Sequence, residues 1–151
     1  MPDKDIMVPS RDDFASVMAD LGLVPFLGGD DQLAGILPAG RVIRFIFPDS
    51  SPIQGVAEWP GRLSPDMAAQ VGLVARTVNS SMYLPKMTSS TGEDGVTIAL
   101  THSFHWPIGA TAEQFHGEVS AFIHAVLAVM GRLDSTFPAR WVPALEEKNN
   151  G

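Results

Sequence analysis

In the stretch Gly92-Glu93-Asp94-Gly95-Val96-Thr97-Ile98-Ala99-Leu100-Thr101-His102-Ser103-Phe104-His105, two glycines bracket a pair of acids and a long alternation follows. Val96, Ile98, Leu100, His102 and Phe104 fall on one side, and Thr97, Ala99, Thr101, Ser103 and His105 on the other. That period of two residues marks a strand with one face buried. Gly92 to Gly95 reads as a hairpin turn, because glycine tolerates the positive φ that such turns require. The weaker run Lys86 to Thr91 is then the antiparallel neighbour. Downstream, Thr111 and Gln114 have the spacing of a capping box, in which side chains and backbone donors satisfy one another. Phe115, Val119, Phe122, Ile123, Val126, Met130 and Leu133 recur beyond it at helical intervals. A hairpin leading into a long amphipathic third helix is therefore expected.

Two further helices are legible upstream. Ser10 with Asp13 is an N-cap with an acid in the first turn, Phe14, Val17, Met18 and Leu21 form a stripe, and Gly22 stops it. Ser64 caps a helix with Pro65 at its first position, where the missing N–H costs nothing. Met67, Val71, Val74 and Val78 give that helix its apolar side. Between these helices, Arg41 to Phe47 is β-branched and aromatic and ends at Pro48-Asp49, with Ile43, Phe45 and Phe47 as its core face. Gly55 to Trp59 is a shorter run closed by Pro60-Gly61. Leu23 to Gly40 holds four glycines and two prolines, and predicts one short strand near Leu33 to Leu37. Few strands are joined by helical crossovers, which points away from a doubly wound parallel sheet. The expected fold class is α+β: an antiparallel sheet of about five strands with three helices, in the order α-β-β-β-α-β-β-α.

Residues 1–8 lack a pairing pattern and are expected to form a flexible N-terminus, with a single domain over 9–137 and a C-terminal tail over 138–151. Pro138 and Pro143 forbid a continued helix, while Phe137, Trp141 and Leu145 are apolar anchors that can fold back on the domain. No internal repeat or low-complexity tract is visible.

Composition narrows the classes of function. The 151 residues are 45% hydrophobic and 18% charged, which excludes a disordered solvating chain. There is no cysteine, hence no disulfide, thiolate metal site or cysteine nucleophile. No apolar run approaches the roughly 20 residues of a membrane span. The start Met1-Pro2-Asp3-Lys4-Asp5 lacks a secretory profile, so a cytoplasmic location is expected. A net charge of -7 with scattered Lys and Arg argues against nucleic acid.

Candidate chemistry is sparse. His102 and His105, three apart on a strand, point to opposite faces and cannot chelate one ion together unless the strand ends at Ser103. His116 and His124 lie about two turns apart on a helix, too far to share a metal without other ligands. Gly28-Gly29-Asp30-Asp31 has no following Lys-Ser/Thr, and its carboxylates would repel phosphate. No Gly-x-Ser-x-Gly elbow occurs. The acid pairs Asp12-Asp13, Asp30-Asp31 and Glu93-Asp94 sit in caps and turns, where backbone geometry explains them. Trp106, before Pro107, reads first as a plug at the core edge and second as an exposed anchor for a partner. Dispersed methionines, among them Met82, Met87 and Met130, read as core filling before an adaptable surface.

The region Val78 to Leu133 resembles the YbjN family. Asn79 lies near the end of the second helix, Leu84-Pro85-Lys86 leads into the hairpin, and Glu93-Asp94-Gly95 precedes Val96-Thr97-Ile98-Ala99-Leu100. Gly109-Ala110-Thr111-Ala112-Glu113-Gln114-Phe115 is similar to the family's start of its last helix. More loosely, Asp30-Asp31-Gln32-Leu33-Ala34-Gly35 resembles its acidic turn, without the usual Asp-Gly-Asp, and Gly55 to Trp59 its third strand. The likeness extends from Ser10 to Phe137. It implies a bacterial domain with a type III secretion chaperone-like fold, described as a candidate sensory-transduction regulator, with no catalytic residues to carry over. On physical grounds Asn79 and Pro85 read as a helix stop and the start of a strand.

The leading expectation is a non-enzymatic protein-binding domain, chaperone-like or regulatory, with a protein or peptide partner. It has no cofactor, no catalytic residue and no metal ligand, and it engages neither nucleic acid nor membrane. Asn79, Lys86 and Trp106 are its candidate interaction residues. The alternative is a small-molecule-binding regulatory domain with a pocket between sheet and helices. A metal-assisted hydrolase using His102 and His105 is the third class. A homodimer is also expected: Thr97, Ala99, Thr101 and Ser103, joined by Val42 and Ile46, form a second sheet face opposed only by Arg44, and the sheet or the second helix would contribute to the interface.

Overall fold

The computed structural model describes residues 6–29, 32–36, 41–48, 52–106 and 108–138. The chain runs α1 (Arg11–Asp20), β1 (Val24–Gly29), β2 (Gln32–Ile36), β3 (Val42–Ile46), β4 (Ile53–Glu58), a 3-10 turn (Pro65–Met67), α2 (Ala68–Ser81), β5 (Lys86–Gly92), β6 (Gly95–Phe104) and α3 (Ala112–Thr136). The strands form one six-stranded sheet in the order β1-β2-β3-β4-β6-β5, and every adjacent pair is antiparallel. The fold class is α+β as expected, but there are six strands and the order is α-β-β-β-β-α-β-β-α. The added strand is β1, and Pro25 explains why it is hard to see. Proline lacks the N–H that an interior ladder needs, yet it is accommodated on an edge strand, and β1 is an edge.

Caps set the helices. Ser10 Oγ accepts from the Asp13 N–H at 3.2 Å, and Asp13 Oδ2 accepts from the Ser10 N–H at 2.8 Å. Thr111 and Gln114 repeat the arrangement at 3.1 and 2.9 Å. Ser64 caps only the 3-10 turn, taking the Asp66 N–H at 3.3 Å, before α2 proper starts at Ala68. In α3, all seven stripe residues are buried, and Val129 joins them.

All three helices cover the same face of the sheet. Phe14 of α1 centres an aromatic cluster, with ring centroids 5.0 Å from Phe45, 5.5 Å from Phe115 and 5.8 Å from Phe104. Two glycines let the helices come close. A Cβ on Gly55 would stand 2.6 Å from Phe122 Cε2, and one on Gly35 would stand 2.0 Å from Met18 Cε. Each gap in the sheet is thus filled by a helix side chain, as close packing requires.

Near the ends, two contacts tie described residues to the domain. Met7 exchanges backbone hydrogen bonds with Ala110 at 2.9 and 2.7 Å. Phe137 is buried, its ring 6.3 Å from that of Trp59. Residues 1–5, and the tail anchors Trp141 and Leu145, lie outside the described residues.

Candidate functional site: the helix-free face

Alternation along each strand sends every second side chain to the side away from the helices. Val24 pairs with Ile36, and Ile36 pairs with Val42, so the three make one row across β1, β2 and β3. They are 64%, 45% and 40% exposed, a contiguous apolar strip open to solvent. Continued across the sheet, the row passes Glu58, Ala99 and Thr88. The next row holds Arg44, Val56, Thr101 and Lys86.

The strip runs at Val42 into a groove of about 700 Å³ over β3, β4, β6 and β5. Irregular pairing creates it. After β4 the chain keeps a loose antiparallel course beside β6: the Trp59 N–H donates to Ile98 O, and Leu63 pairs with Val96. Pro60, Gly61 and Arg62 sit between these two ties and form one wall of the groove. Thr88, Ser90 and Thr97 add hydroxyls, and Arg41 and Arg44 stand on the other side. Asp134 of α3 fixes the rim: its carboxylate pairs with Arg41 and accepts the Trp59 indole N–H at 2.9 Å. Arg44 pairs with Glu58 at 2.9 Å, but both are well exposed, so solvent screens the pair and its net worth is small. Arg62 is exposed, with no carboxylate partner among the described residues.

The edge of the sheet next to the groove is only partly closed. Asn79 Oδ1 accepts from the Met87 N–H at 2.7 Å, and its Nδ2 donates to Met87 O at 3.0 Å. The side-chain amide thereby imitates a neighbouring strand. By the alternation of an antiparallel ladder, Ser89 and Thr91 also turn their backbone groups outward, beyond the reach of that clamp.

The three candidate interaction residues are not gathered in one place. Asn79 holds β5 to α2; it is not a helix stop, since α2 continues to Ser81. Lys86 is exposed on the helix-free face opposite Thr101. Trp106 is half-buried, its ring 5.3 Å from Phe104 and 6.2 Å from Phe115, which fits the reading as a plug at the core edge. His102 faces the helices as its alternation predicts, with Nε2 2.8 Å from Glu118 Oε2 and its ring stacked on Phe122, whereas His105 is exposed. Among the described residues no group of three His, Asp or Glu could hold a metal ion. Among the described residues aromatic and aliphatic side chains pack between the sheet and the helices, and the groove described above lies on the opposite face. Composition had not suggested Arg41, Trp59, Arg62 and Asp134, because no short motif joins them.

No family profile matches the chain, and no curated protein matches it. Among the described residues, no helix is long and apolar enough to cross a membrane. Among solved structures, YbjN of E. coli, described as a candidate transcription regulator, superimposes with a TM-score of 0.69 and 19% identity. The match covers 87% of this chain and 96% of that one. Helix-one-side packing, the six-stranded sheet and the final long helix together give this chain the fold of YbjN.

Proposed function

We propose that the chain is a non-enzymatic, regulatory protein-binding module that meets its partner on the helix-free face. The observation that carries this is the exposed row Val24, Ile36 and Val42. Adjacent large apolar side chains on a rigid sheet gain free energy when a partner removes them from water. The outward backbone groups of Ser89 and Thr91 add a place where an extended segment can pair as a further strand. The regulator described for E. coli YbjN is compatible with such a role, and a cytoplasmic setting suits a regulator.

Affinity capture from the native cell, with partners identified, tests the reading by comparing the protein with Ile36→Glu. The partner should be retained by the former and lost by the latter, while circular dichroism shows both folded. Equal capture by both would overturn the placement.

Two other occupants fit the same face. A groove of about 700 Å³ is within the size range of small-molecule sites, so a co-purifying metabolite in native mass spectrometry would favour a ligand-binding regulator. A second copy of the chain would bury the row in a homodimer, which light scattering detects as a doubled mass.

A further inference from the structure

The groove beside Val42 has a charge opposite to that of the chain around it. The protein carries -7 overall, yet Arg41, Arg44 and Arg62 line the groove against two carboxylates, Glu58 and, at the rim, Asp134, which leaves one positive charge in excess. We infer that this groove docks an extended acidic segment of a partner protein, whose apolar residues lie on Val24, Ile36 and Val42 and whose carboxylates reach Arg62 and Arg44. The inference rests on the protein-binding reading and names the partner's chemistry.

Each cation has a distinct part. Arg41 is committed to Asp134 and shapes the rim. Arg44 is held by Glu58 in a well-exposed pair, which a second carboxylate can enter at little cost. Arg62 is exposed, without a carboxylate partner among the described residues, and its planar fork suits bidentate capture of a carboxylate. Thr88, Ser90 and Thr97 offer hydroxyls to the backbone of such a segment. The row from β1 to β5 crosses six strands. At a strand spacing of about 4.8 Å it is roughly 24 Å long, a distance that about seven extended residues cover. A short acidic segment places its charges in the groove alone. A nucleic acid or anionic membrane would extend its charge beyond the groove, against a chain whose net charge is -7.

A fluorescein-labelled peptide alternating glutamate with valine, and its counterpart with lysine for glutamate, provide the probe for fluorescence anisotropy. The glutamate peptide should bind the full chain, and Arg62→Glu should weaken it by about tenfold or more. Arg76→Glu, an equal charge change at an exposed position of α2, should alter binding by less than about twofold. Equal binding of the lysine peptide, or equal loss in both variants, would overturn the inference. So would a doubled mass by light scattering that Val42→Glu abolishes, since a second copy would then hold the groove. If the glutamate peptide fails to bind while Ile36→Glu still loses the native partner, the acidic-segment inference falls and the protein-binding reading stands.

Discussion

The same strands build both faces of the sheet, and among the described residues one meets three helices while no helix covers the other. On the covered face Ile43, Phe45, Ile98, Leu100 and Phe104 are almost wholly buried. Their neighbours from α1 and α3 interlock with them, and Gly35 and Gly55 are small because helix side chains occupy the space above them. On the open face the row Val24, Ile36 and Val42 has no such constraint from above. The contrast separates two kinds of apolar residue: those whose removal leaves a hole, and those whose removal alters only what the surface can hold.

Three substitutions can break or sharpen this contrast, from the largest effect to the smallest. Phe122→Ala removes a ring that touches Phe45, Phe104 and His102. It should cost about 3–5 kcal/mol in a denaturant titration. A loss under about 1 kcal/mol would mean that the α3 face is not the core. Gly55→Ala adds only a methyl group, but one that collides with Phe122. Overpacking of this kind should cost about 1–3 kcal/mol, read as a lower midpoint with unchanged denaturant slope. Ile36→Glu, on the open face, should move stability by less than about 0.5 kcal/mol while abolishing partner capture. If it destabilised the protein as much as Gly55→Ala, the two faces would not differ as described.

Legibility in the sequence followed the range of the interactions. The caps at Ser10 and Thr111 are local, three residues from donor to acceptor, and both formed as read. The alternation in β6 and the odd positions of β3 placed the right side chains on the helix-covered face because one strand's period is enough to do so. β1 was hidden because Pro25 and two terminal glycines carry turn signals, and only its position at the sheet edge makes them compatible with a strand. The groove was hidden for a different reason. Its rim joins Arg41 and Trp59 through Asp134, far along the chain, and its wall is an interruption of pairing rather than a motif. Asn79 was visible by resemblance, but its role depends on the backbone of Met87, which no residue pattern announces.

The clamp at Met87 gives the outer margin of the sheet a direction. With its donor and acceptor already occupied by Asn79, this margin is closed at the α2 end and open only towards the hairpin tip. A strand arriving there can gain backbone pairing over Ser89 to Thr91 and then meets a stop. Two molecules approaching by this margin in antiparallel fashion would share only that short stretch. One asparagine amide thus acts as a ruler, setting how much of this margin a further strand could pair with.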